Sequence, residues 1–452
     1  MAHLVRTLNF RDMVLLIVGS VIGSGIFLVP GVVLRQVDGS VGVAALVWIG
    51  GGVLSLLGAL TYGEMAAMKP EAGGLYVYIR DAFGPLSAFL YGWAMFLAIA
   101  SGTIASLAVA FSTYLNAVVP LGVLTSKLIS VATIALVTAV NVWGTRKSSD
   151  FQNWTTLIKV LMILSMCAVL LFMGHGYSAT ASAIPAGTVN VALLSKFGLG
   201  MIGVLWAYEG WQFITYSAGE VKNPQKDFPR SLLWSVLALA AVYLIANAGY
   251  LVALGPARAA ASDTIAATAF TAVLGPSAGK LVALTILISV FSAVNTVPLT
   301  APRVFYAMAS DGLFFRKLAD VHPRFHTPAT AIIALGIWAA VLSCFGQFQQ
   351  LIGYTIFVAW IFYGLGAASI FIYRTKYADL PRPYRVPGYP WTPLIFTLAA
   401  AALVVNVVVS TPINGLAGLG IVAIGVPVYL LWRNRSGETL AQRANVRSVS
   451  PE

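Results

Sequence analysis

Residues 19–27 read Gly19-Ser20-Val21-Ile22-Gly23-Ser24-Gly25-Ile26-Phe27 and lie inside the first long apolar run, residues 12–35. Three glycines within seven residues disfavour a helix interior, because glycine loses the most backbone freedom on ordering. In a bilayer the cost is larger, since an unpaired N–H or C=O finds no water in the hydrocarbon. The stretch therefore predicts an interrupted helix that lines a cavity. The alternative is a tight helix–helix contact, for which Gly19 and Gly23 have the small-xxx-small spacing.

An interruption here creates two helix ends in the middle of the membrane. The half-helix that follows offers the N–H groups of Ser24, Gly25 and Ile26 at its positive end. The half-helix that precedes offers the carbonyls of Val21 and Ile22 at its negative end. The first end suits a carboxylate and the second an ammonium, so the pair fits the two charged groups of a free amino acid.

The composition is that of a polytopic membrane protein. The chain has 452 residues, of which 59% are hydrophobic and 9% charged, and its mean hydropathy is +0.86, which excludes a soluble globular protein. Cys167 and Cys344 both fall inside predicted spans, which argues against a disulfide framework and a metal site. His322 and His326 have a helical ligand spacing, but Pro323 between them disfavours a helix. We expect neither a metal nor a cofactor.

Apolar runs between polar breaks predict twelve transmembrane helices and an all-α fold. The predicted spans cover residues 12–35, 41–67, 83–116, 127–143, 153–173, 198–218, 231–254, 278–308, 328–345, 349–373, 391–410 and 414–432. The chain reads as one transmembrane domain. It comprises a first block of five spans, a second block of five, two additional helices and a tail, at residues 12–173, 198–373, 391–432 and 433–452.

The positive charges predict the orientation. With the N-terminus inside, 21 of the 27 lysines and arginines lie on the cytoplasmic side, which matches the positive-inside rule. The outer side holds Arg35, Lys127, Lys196, Arg258 and Lys280. We therefore expect both termini in the cytoplasm, and the net charge of +12 reflects membrane topology and not binding to nucleic acid.

A second interrupted segment occurs in the sixth predicted span, at Gly203-Val204-Leu205-Trp206-Ala207-Tyr208-Glu209-Gly210-Trp211. It puts a carboxylic acid and a glycine at mid-membrane depth between aromatic side chains. The first and sixth spans each begin a block of five. Broken helices at matching positions of two halves indicate an inverted-repeat transporter and mark its binding site.

Two ionisable residues lie deep in predicted spans, Lys159 and Glu209. Intramembrane charges are costly and are functional by default. The alternative interpretation of Lys159 is that it only stabilises the structure, by donating hydrogen bonds to the backbone carbonyls of a broken helix. Glu209 has the alternative of capping the half-helix that follows it. Glu64, near the inner end of the second span, is expected to face water.

The aromatic residues Trp206 and Tyr208 flank the second interruption, so one of them is a candidate to cover a ligand, although most intramembrane aromatics serve packing. Asn295 in the eighth span is a candidate lining residue. Pro298 and Pro302 follow it and should kink that helix.

These motifs resemble those of the amino acid–polyamine–organocation transporters. Residues 21–27 are similar to the family's signature. Residues 206–211 and 219–230 are similar to the sixth span and following loop of the L-type branch, which includes the light subunits of heteromeric amino-acid transporters and their bacterial relatives. Asn295, Arg303 and the run 310–312 resemble the eighth span. The likeness covers residues 11–385 and implies a LeuT-like fold with two inverted five-helix repeats and broken helices 1 and 6.

The resemblance implies a role for most of the residues singled out above. Ser24 and Gly25 would hold the substrate carboxylate, and the carbonyls of Val21, Trp206 and Glu209 would receive the α-ammonium. Together with Ile22, Gly23, Ile26, Ala207 and Tyr208, they form the expected substrate site.

Two further roles follow from the same resemblance. Trp206 would be the aromatic gate. Lys159 would stand where sodium-coupled relatives place a cation.

The chain departs from the family's pattern at three places. Glu209 replaces a residue that is often Gly or Asp, which bears on side-chain selectivity. Pro298 and Pro302 are unusual for the eighth span. The outer loop 116–126 contains no cysteine, so we expect no disulfide-linked heavy subunit.

The sequence therefore predicts a sodium-independent L-amino-acid transporter in the inner cell membrane, acting as an exchanger of neutral amino acids. The alternatives within transport are a cationic amino-acid or polyamine antiporter and a proton-coupled symporter. A channel would need a ring of charges or carbonyls from several subunits. A membrane enzyme finds no support, since no nucleophile motif or phosphate loop is present.

Overall fold

The computed structural model describes residues 4–116, 118–176, 191–345, 348–410 and 412–448. Within these ranges the chain is helical and contains no β-strand; one isolated parallel bridge joins Leu8 to Val221. This confirms the predicted all-α class. The α-helix is the secondary structure expected of a segment in hydrocarbon, because it makes the hydrogen bonds of its backbone N–H and C=O groups within itself.

Seventeen α-helices are present in the described ranges. They are α1 Phe10–Val21, α2 Gly25–Gln36, α3 Val41–Met68, α4 Leu75–Phe83, α5 Pro85–Ala94, α6 Ala100–Asn116, α7 Val123–Val142, α8 Thr145–Met173, α9 Val191–Ala207, α10 Pro224–Ala261, α11 Ile265–Leu274, α12 Ala278–Thr300, α13 Pro302–Ser310, α14 Ala329–Phe345, α15 Phe348–Lys376, α16 Trp391–Ser410 and α17 Pro412–Ser448. A π-helical turn, Met95–Ile99, joins α5 to α6, and 3₁₀ helices cover Trp211–Glu220 and Arg316–Ala319.

The predicted count of twelve spans is not confirmed. In the described ranges, nine helices or continuous helix runs are long and apolar enough to cross a membrane, and the pair α1 and α2 forms a tenth span that bends by 48°. The sixth and ninth predicted spans correspond to α9 and α14. Seventeen residues of each are described, and both helices border residues outside the described ranges.

The ends of several elements differ from the prediction. The short helix α4 was not anticipated, although it buries Leu75 and Ile79 on one face. The last helix runs on as far as Ser448, well into the predicted tail, and residues 449–452 lie outside the described part. Pro302 begins α13, but Ala301 before it keeps helical angles of φ −58° and ψ −35°. The prolines therefore remove hydrogen bonds without dividing the span in two.

The interrupted span α1/α2 lies at the centre of the molecule. α1 packs against α8, α10 and α12, while α2 packs against α9, α10 and α11. The start of α1 is fixed by a capping box in which Asn9 accepts from the backbone N–H of Asp12 and donates its own to the Asp12 carboxylate. Both ends of the break are therefore held by surrounding helices, as a non-helical segment in hydrocarbon requires.

Candidate functional site

The first break exposes backbone donors. α1 ends at Val21 and α2 begins at Gly25, and in the described part of the chain no acceptor pairs with the N–H groups of Ser24, Gly25 and Ile26. The Ser24 hydroxyl is also buried without a partner. Three N–H groups and one hydroxyl at a helix N-terminus form a site suited to an anion.

The carbonyl side of the same break is largely occupied. Nζ of Lys159 lies 2.6 Å from the carbonyl oxygens of both Gly19 and Ile22. The Ser289 hydroxyl of α12 lies 3.0 Å from the carbonyl oxygen of Gly23 and 3.2 Å from that of Ile22, and its one proton is shared between them. The expectation that the Ile22 carbonyl faces a ligand is therefore wrong, because Lys159 and Ser289 already use it.

Tyr243 of α10 connects the two breaks. Its hydroxyl lies 2.7 Å from the carbonyl oxygen of Ala207 and 3.2 Å from that of Val21. A single hydroxyl proton is shared between these two acceptors. The sequence carried no signal for this residue, because one tyrosine in a long apolar helix has no distinctive spacing.

Each of the three glycines at the first break has a different neighbourhood. A Cβ on Gly19 would lie 2.3 Å from Oγ1 of Thr156, and one on Gly25 would lie 2.9 Å from the backbone Cα of Ala207. A Cβ on Gly23 would meet no atom closer than 3.7 Å. Of the two glycines for which a tight helix–helix contact was the alternative, Gly19 is tightly packed, whereas a Cβ on Gly23 would make only ordinary contacts with Ala293 and Leu107. Gly25 is tightly packed as well.

The second break follows α9. Gly210 adopts φ +118°, a region that favours glycine, and the chain then continues as the 3₁₀ helix Trp211–Glu220. The Ser20 hydroxyl lies 3.0 Å from the carbonyl oxygen of Gly210. The two interruptions are thus in direct contact.

A small cavity lies between the breaks. Its walls are formed by Ser20, Val21, Gly23, Ser24, Gly25, Thr103, Leu107, Trp206, Glu209, Phe213, Ala293 and Val297. Its volume is about 30 Å³, which is room for a few water molecules at most. A ligand as large as an amino acid therefore requires a wall residue to move.

Glu209 lies in the cavity wall and is partly exposed. Its Oε1 accepts hydrogen bonds from Nε2 of Gln212 at 2.7 Å and from the hydroxyl of Tyr363 at 2.6 Å. In the described residues the 3₁₀ helix that begins at Trp211 has no side-chain cap hydrogen bond, and both donors to the Glu209 carboxylate are side chains, so the capping interpretation is wrong. Gln212, one turn further on, reaches back and takes the place of a backbone donor.

Several predicted site residues lie away from the cavity. Tyr208 is buried in an aromatic cluster, with its ring centroid 6.2 Å from that of Trp48 and 5.0 Å from that of Tyr243. The cavity lining also does not include Ile22, Ile26, Ala207 or Lys159.

Asn295, the candidate lining residue, is also absent from the wall. It is fully buried between Asn141 and Gln152, with hydrogen bonds of 2.9 Å to each. The eighth span instead presents Ala293 and Val297, which are four residues apart on one helical face. Sequence reasoning missed these two because small apolar residues in an apolar helix carry no distinguishing signal.

Two carboxylates outside the cavity, Glu64 and Asp81, are held in ion pairs. Glu64 is fully buried, bonded to Arg374 at 2.7 Å and to the backbone N–H of Val386 at 2.6 Å, so the expectation that it faces water is wrong. In α4, burial would raise the pKa of the Asp81 carboxyl, but hydrogen bonds from Lys69 and Arg80 and their charges lower that pKa below its usual range. In the described ranges no three His, Cys, Asp or Glu residues group to hold a metal.

Comparison with known proteins identifies the family. A family model described as "Amino acid permease" matches residues 8–429. The serine/threonine exchanger SteT of Bacillus subtilis (strain 168) is 31% identical over 429 residues, which cover 93% of this chain and 95% of the relative.

Mammalian proteins are similar to this chain at the same level. The b(0,+)-type amino acid transporter 1 of Homo sapiens is 32% identical, over 88% of this chain and 81% of the relative. The large neutral amino acids transporter small subunit 2 of Rattus norvegicus is 32% identical, over 93% and 80% respectively. With a family model over nearly its whole length and relatives at this identity, the chain belongs to the amino acid permease family, whose members are multi-pass membrane transporters and not enzymes.

Proposed function

We propose that this protein exchanges neutral L-amino acids across the inner cell membrane, without sodium, by alternating access. The observation that carries the proposal is the first break, where Ser24 and Gly25, with unpaired N–H groups, and the free Ser24 hydroxyl lie in the wall of a small cavity. That arrangement fits the carboxylate shared by all amino acids. The names of two relatives, a serine/threonine exchanger and a large neutral amino acids transporter subunit, support the same conclusion.

In this mechanism the substrate backbone spans the two breaks. The carboxylate accepts from the N–H groups of Ser24 and Gly25 and from the Ser24 hydroxyl. The α-ammonium donates to the carbonyls of Val21, Trp206 and Glu209. The Trp206 carbonyl has a lone pair left beside the N–H of Glu209, whereas at Val21, which accepts from the N–H of Gly23 and the hydroxyl of Tyr243, the ammonium takes the place of Tyr243. The Ile22 carbonyl is left out of the site, because Lys159 and Ser289 occupy it.

Lys159 explains the independence from sodium. Its amino group is fully buried and fills the space between the carbonyls of Gly19 and Ile22. Carbonyls at the unwound end of a half-helix are the groups that coordinate Na⁺ in transporters with this architecture. With these acceptors already satisfied by the protein, a sodium ion has no place to bind there.

Alternating access follows from the arrangement of the two five-span blocks. We infer that residues 12–173 and 198–373 are inverted repeats that rock against each other around the cavity. Trp206, at the end of α9, is the gate whose movement enlarges the cavity for a substrate. Both termini lie in the cytoplasm, and no disulfide-linked heavy subunit is required.

A second candidate function is exchange of cationic amino acids or polyamines. The observation that favours it is the position of Glu209, whose carboxylate is in the cavity wall and is not consumed as a backbone cap. A distal ammonium on the substrate would pair with this carboxylate. Neutral substrates remain the first choice, because Gln212 and Tyr363 already donate to it.

The test is uptake into liposomes that contain the purified protein. Vesicles loaded with unlabelled L-serine in choline buffer should accumulate labelled L-serine, while unloaded vesicles should accumulate little. Equal uptake into loaded and empty vesicles would replace exchange by net transport, and loss of that uptake with a protonophore would indicate proton coupling. A strict need for Na⁺ would contradict the role of Lys159, and uptake of labelled L-lysine alone would establish the cationic alternative.

A further inference from the structure

A basic cleft lies on the same side of the molecule as the N-terminal segment. It has a volume of about 450 Å³ and is bordered by Thr7, Trp143, Lys147 and Arg324, among other residues. α8 begins here with no side-chain cap at Gly144, so the positive end of that helix adds to the cleft's potential. The hydroxyl of Thr7 is buried there without a partner.

The positive charge in this cleft is only partly neutralised. Arg146 is paired with Asp12 at 2.7 Å and with Asp150. The one acidic side chain in the cleft wall, Glu220, is held by the buried guanidinium of Arg303 at 2.6 Å.

Two cations in the cleft remain without a counter-ion. Lys147 and Arg324 are both exposed, and neither has an ion pair with any residue that the structure describes. Their charges are therefore available to an anion from outside the chain.

An apolar groove continues from the cleft along the outside of the helix bundle. It runs between α7 and α14, and Trp143 belongs to both the groove and the cleft. Gly336 forms the floor of the groove, where α7 and α14 approach closely. A Cβ on Gly336 would lie only 2.4 Å from Oγ1 of Thr138. Ile333 and Ile337 stand exposed on the wall. The groove has a volume of about 440 Å³ and lies on a surface that faces hydrocarbon in a multi-pass membrane protein.

We propose that the cleft and groove together bind one anionic phospholipid, from the leaflet on the N-terminal side. The headgroup phosphate pairs with Lys147 and Arg324, and an acyl chain lies along α7 and α14. Two unpaired cations select negative charge, and the adjoining apolar channel selects a lipid over a soluble anion. Basic pockets between transmembrane helices are a known way to hold anionic headgroups.

The test compares lipids by their effect on thermal unfolding of the full chain in detergent, since a ligand that binds only the folded state stabilises it in proportion to its affinity. Dioleoyl-phosphatidylglycerol should bind more tightly than dioleoyl-phosphatidylcholine. Each of Lys147→Ala and Arg324→Ala should reduce that preference about fivefold, from about 1 kcal/mol per basic residue. Lys226→Ala, which removes an exposed charge at the start of α10, is the matched control and should leave the preference unchanged.

A second pair of variants tests the groove. Ala139 lies exposed in the groove and Ala132 lies exposed on α7 outside it. Ala139→Trp should weaken binding of both lipids, whereas Ala132→Trp should not. The proposal is overturned if the double variant of Lys147 and Arg324 keeps the wild-type preference, if Lys226→Ala loses it equally, or if glycerol 3-phosphate stabilises the protein as well as the lipid does. Unchanged unfolding temperatures in phosphatidylcholine alone show that the variants fold.

Discussion

The two interruptions at the centre of this protein are built differently. At the first, between α1 and α2, the exposed groups are backbone donors, since the N–H groups of Ser24, Gly25 and Ile26 have no partner in the described part of the chain. At the second, after α9, the groups in the cavity wall include the side chains of Trp206 and Glu209.

The backbone of the second break is tied down by its neighbours. The Ala207 carbonyl oxygen is 2.7 Å from the hydroxyl oxygen of Tyr243, and the Gly210 carbonyl oxygen is 3.0 Å from the hydroxyl oxygen of Ser20. The difference indicates that the two breaks have separate roles in the proposed transport. Backbone groups at the first break recognise what all amino acids share, whereas side chains at the second set which amino acid fits and when the cavity opens.

The largest expected effect comes from removing the support of the first break. Lys159→Ala leaves the Gly19 carbonyl without its side-chain donor and weakens the bonding of Ile22, at about 1–3 kcal/mol for each buried group left unpaired. Exchange of labelled L-serine in liposomes should fall by about a hundredfold. The matched control is Lys127→Ala, which removes an exposed lysine at the start of α7 and should exchange normally. Wild-type exchange by the Lys159→Ala protein would show that Lys159 is not needed for transport.

The next effect separates packing from binding within the first break. Gly25→Ala places a methyl group against the Ala207 backbone, so it should lower the free energy of unfolding by about 1–3 kcal/mol. Gly23→Ala has room for its methyl group and should leave stability unchanged while raising the KM for L-serine about tenfold, because the methyl group occupies the small cavity. Thermal unfolding and uptake kinetics on both variants check this. Equal losses of stability in the two variants would contradict the distinction.

The gate of the second break should have a moderate effect. Trp206→Ala removes a large apolar surface from the cavity wall, a contact of about 1.5 kcal/mol, so the KM for L-serine should rise about tenfold with the unfolding temperature little changed. Trp211→Ala is a comparison on the other side of the same break, where the ring packs against Tyr62 and Phe396; it should affect stability instead. If Trp206→Ala behaves as Trp211→Ala does, Trp206 is a packing residue.

The smallest effect is expected at Glu209. Glu209→Gln retains a carbonyl oxygen that can accept from Gln212 and Tyr363 but cannot carry charge. Neutral amino-acid uptake should fall tenfold or less, the scale of about one hydrogen bond. Competition by L-lysine, measured in the same assay, should be weak in both proteins. Strong L-lysine uptake that vanishes in Glu209→Gln would shift the assignment to the cationic alternative.

The sequence predicted the features of the fold that have a local signal along the chain. Hydrophobic runs located the helices, and the clustered glycines located the first break, because both are local signals that the bilayer makes costly to violate. The count of twelve was not confirmed, since only nine helices or helix runs and the bent pair α1/α2 qualify as spans in the described ranges.

The candidate site was only partly predictable from the sequence. The cavity is indeed lined by Gly23, Ser24, Trp206 and Glu209. These residues were predictable because glycines and polar residues within an apolar run indicate a break in a helix. Which side of a helix faces inward depends on packing between distant segments. For that reason Tyr208 and Asn295 were misplaced, Ala293 and Val297 were missed, and the Ile22 carbonyl was assigned to a ligand that Lys159 excludes.

The central claim is that the unpaired N–H groups of the first break hold the substrate carboxylate. The most direct measurement is competition against labelled L-alanine exchange in liposomes by L-alanine, by L-alaninamide and by ethylamine, of which only L-alanine carries a carboxylate. We predict that L-alanine competes fully and that the other two compete at least about a hundredfold less, which corresponds to about 2.7 kcal/mol for the lost charge-assisted hydrogen bonds. Competition by L-alaninamide equal to that by L-alanine would contradict the account.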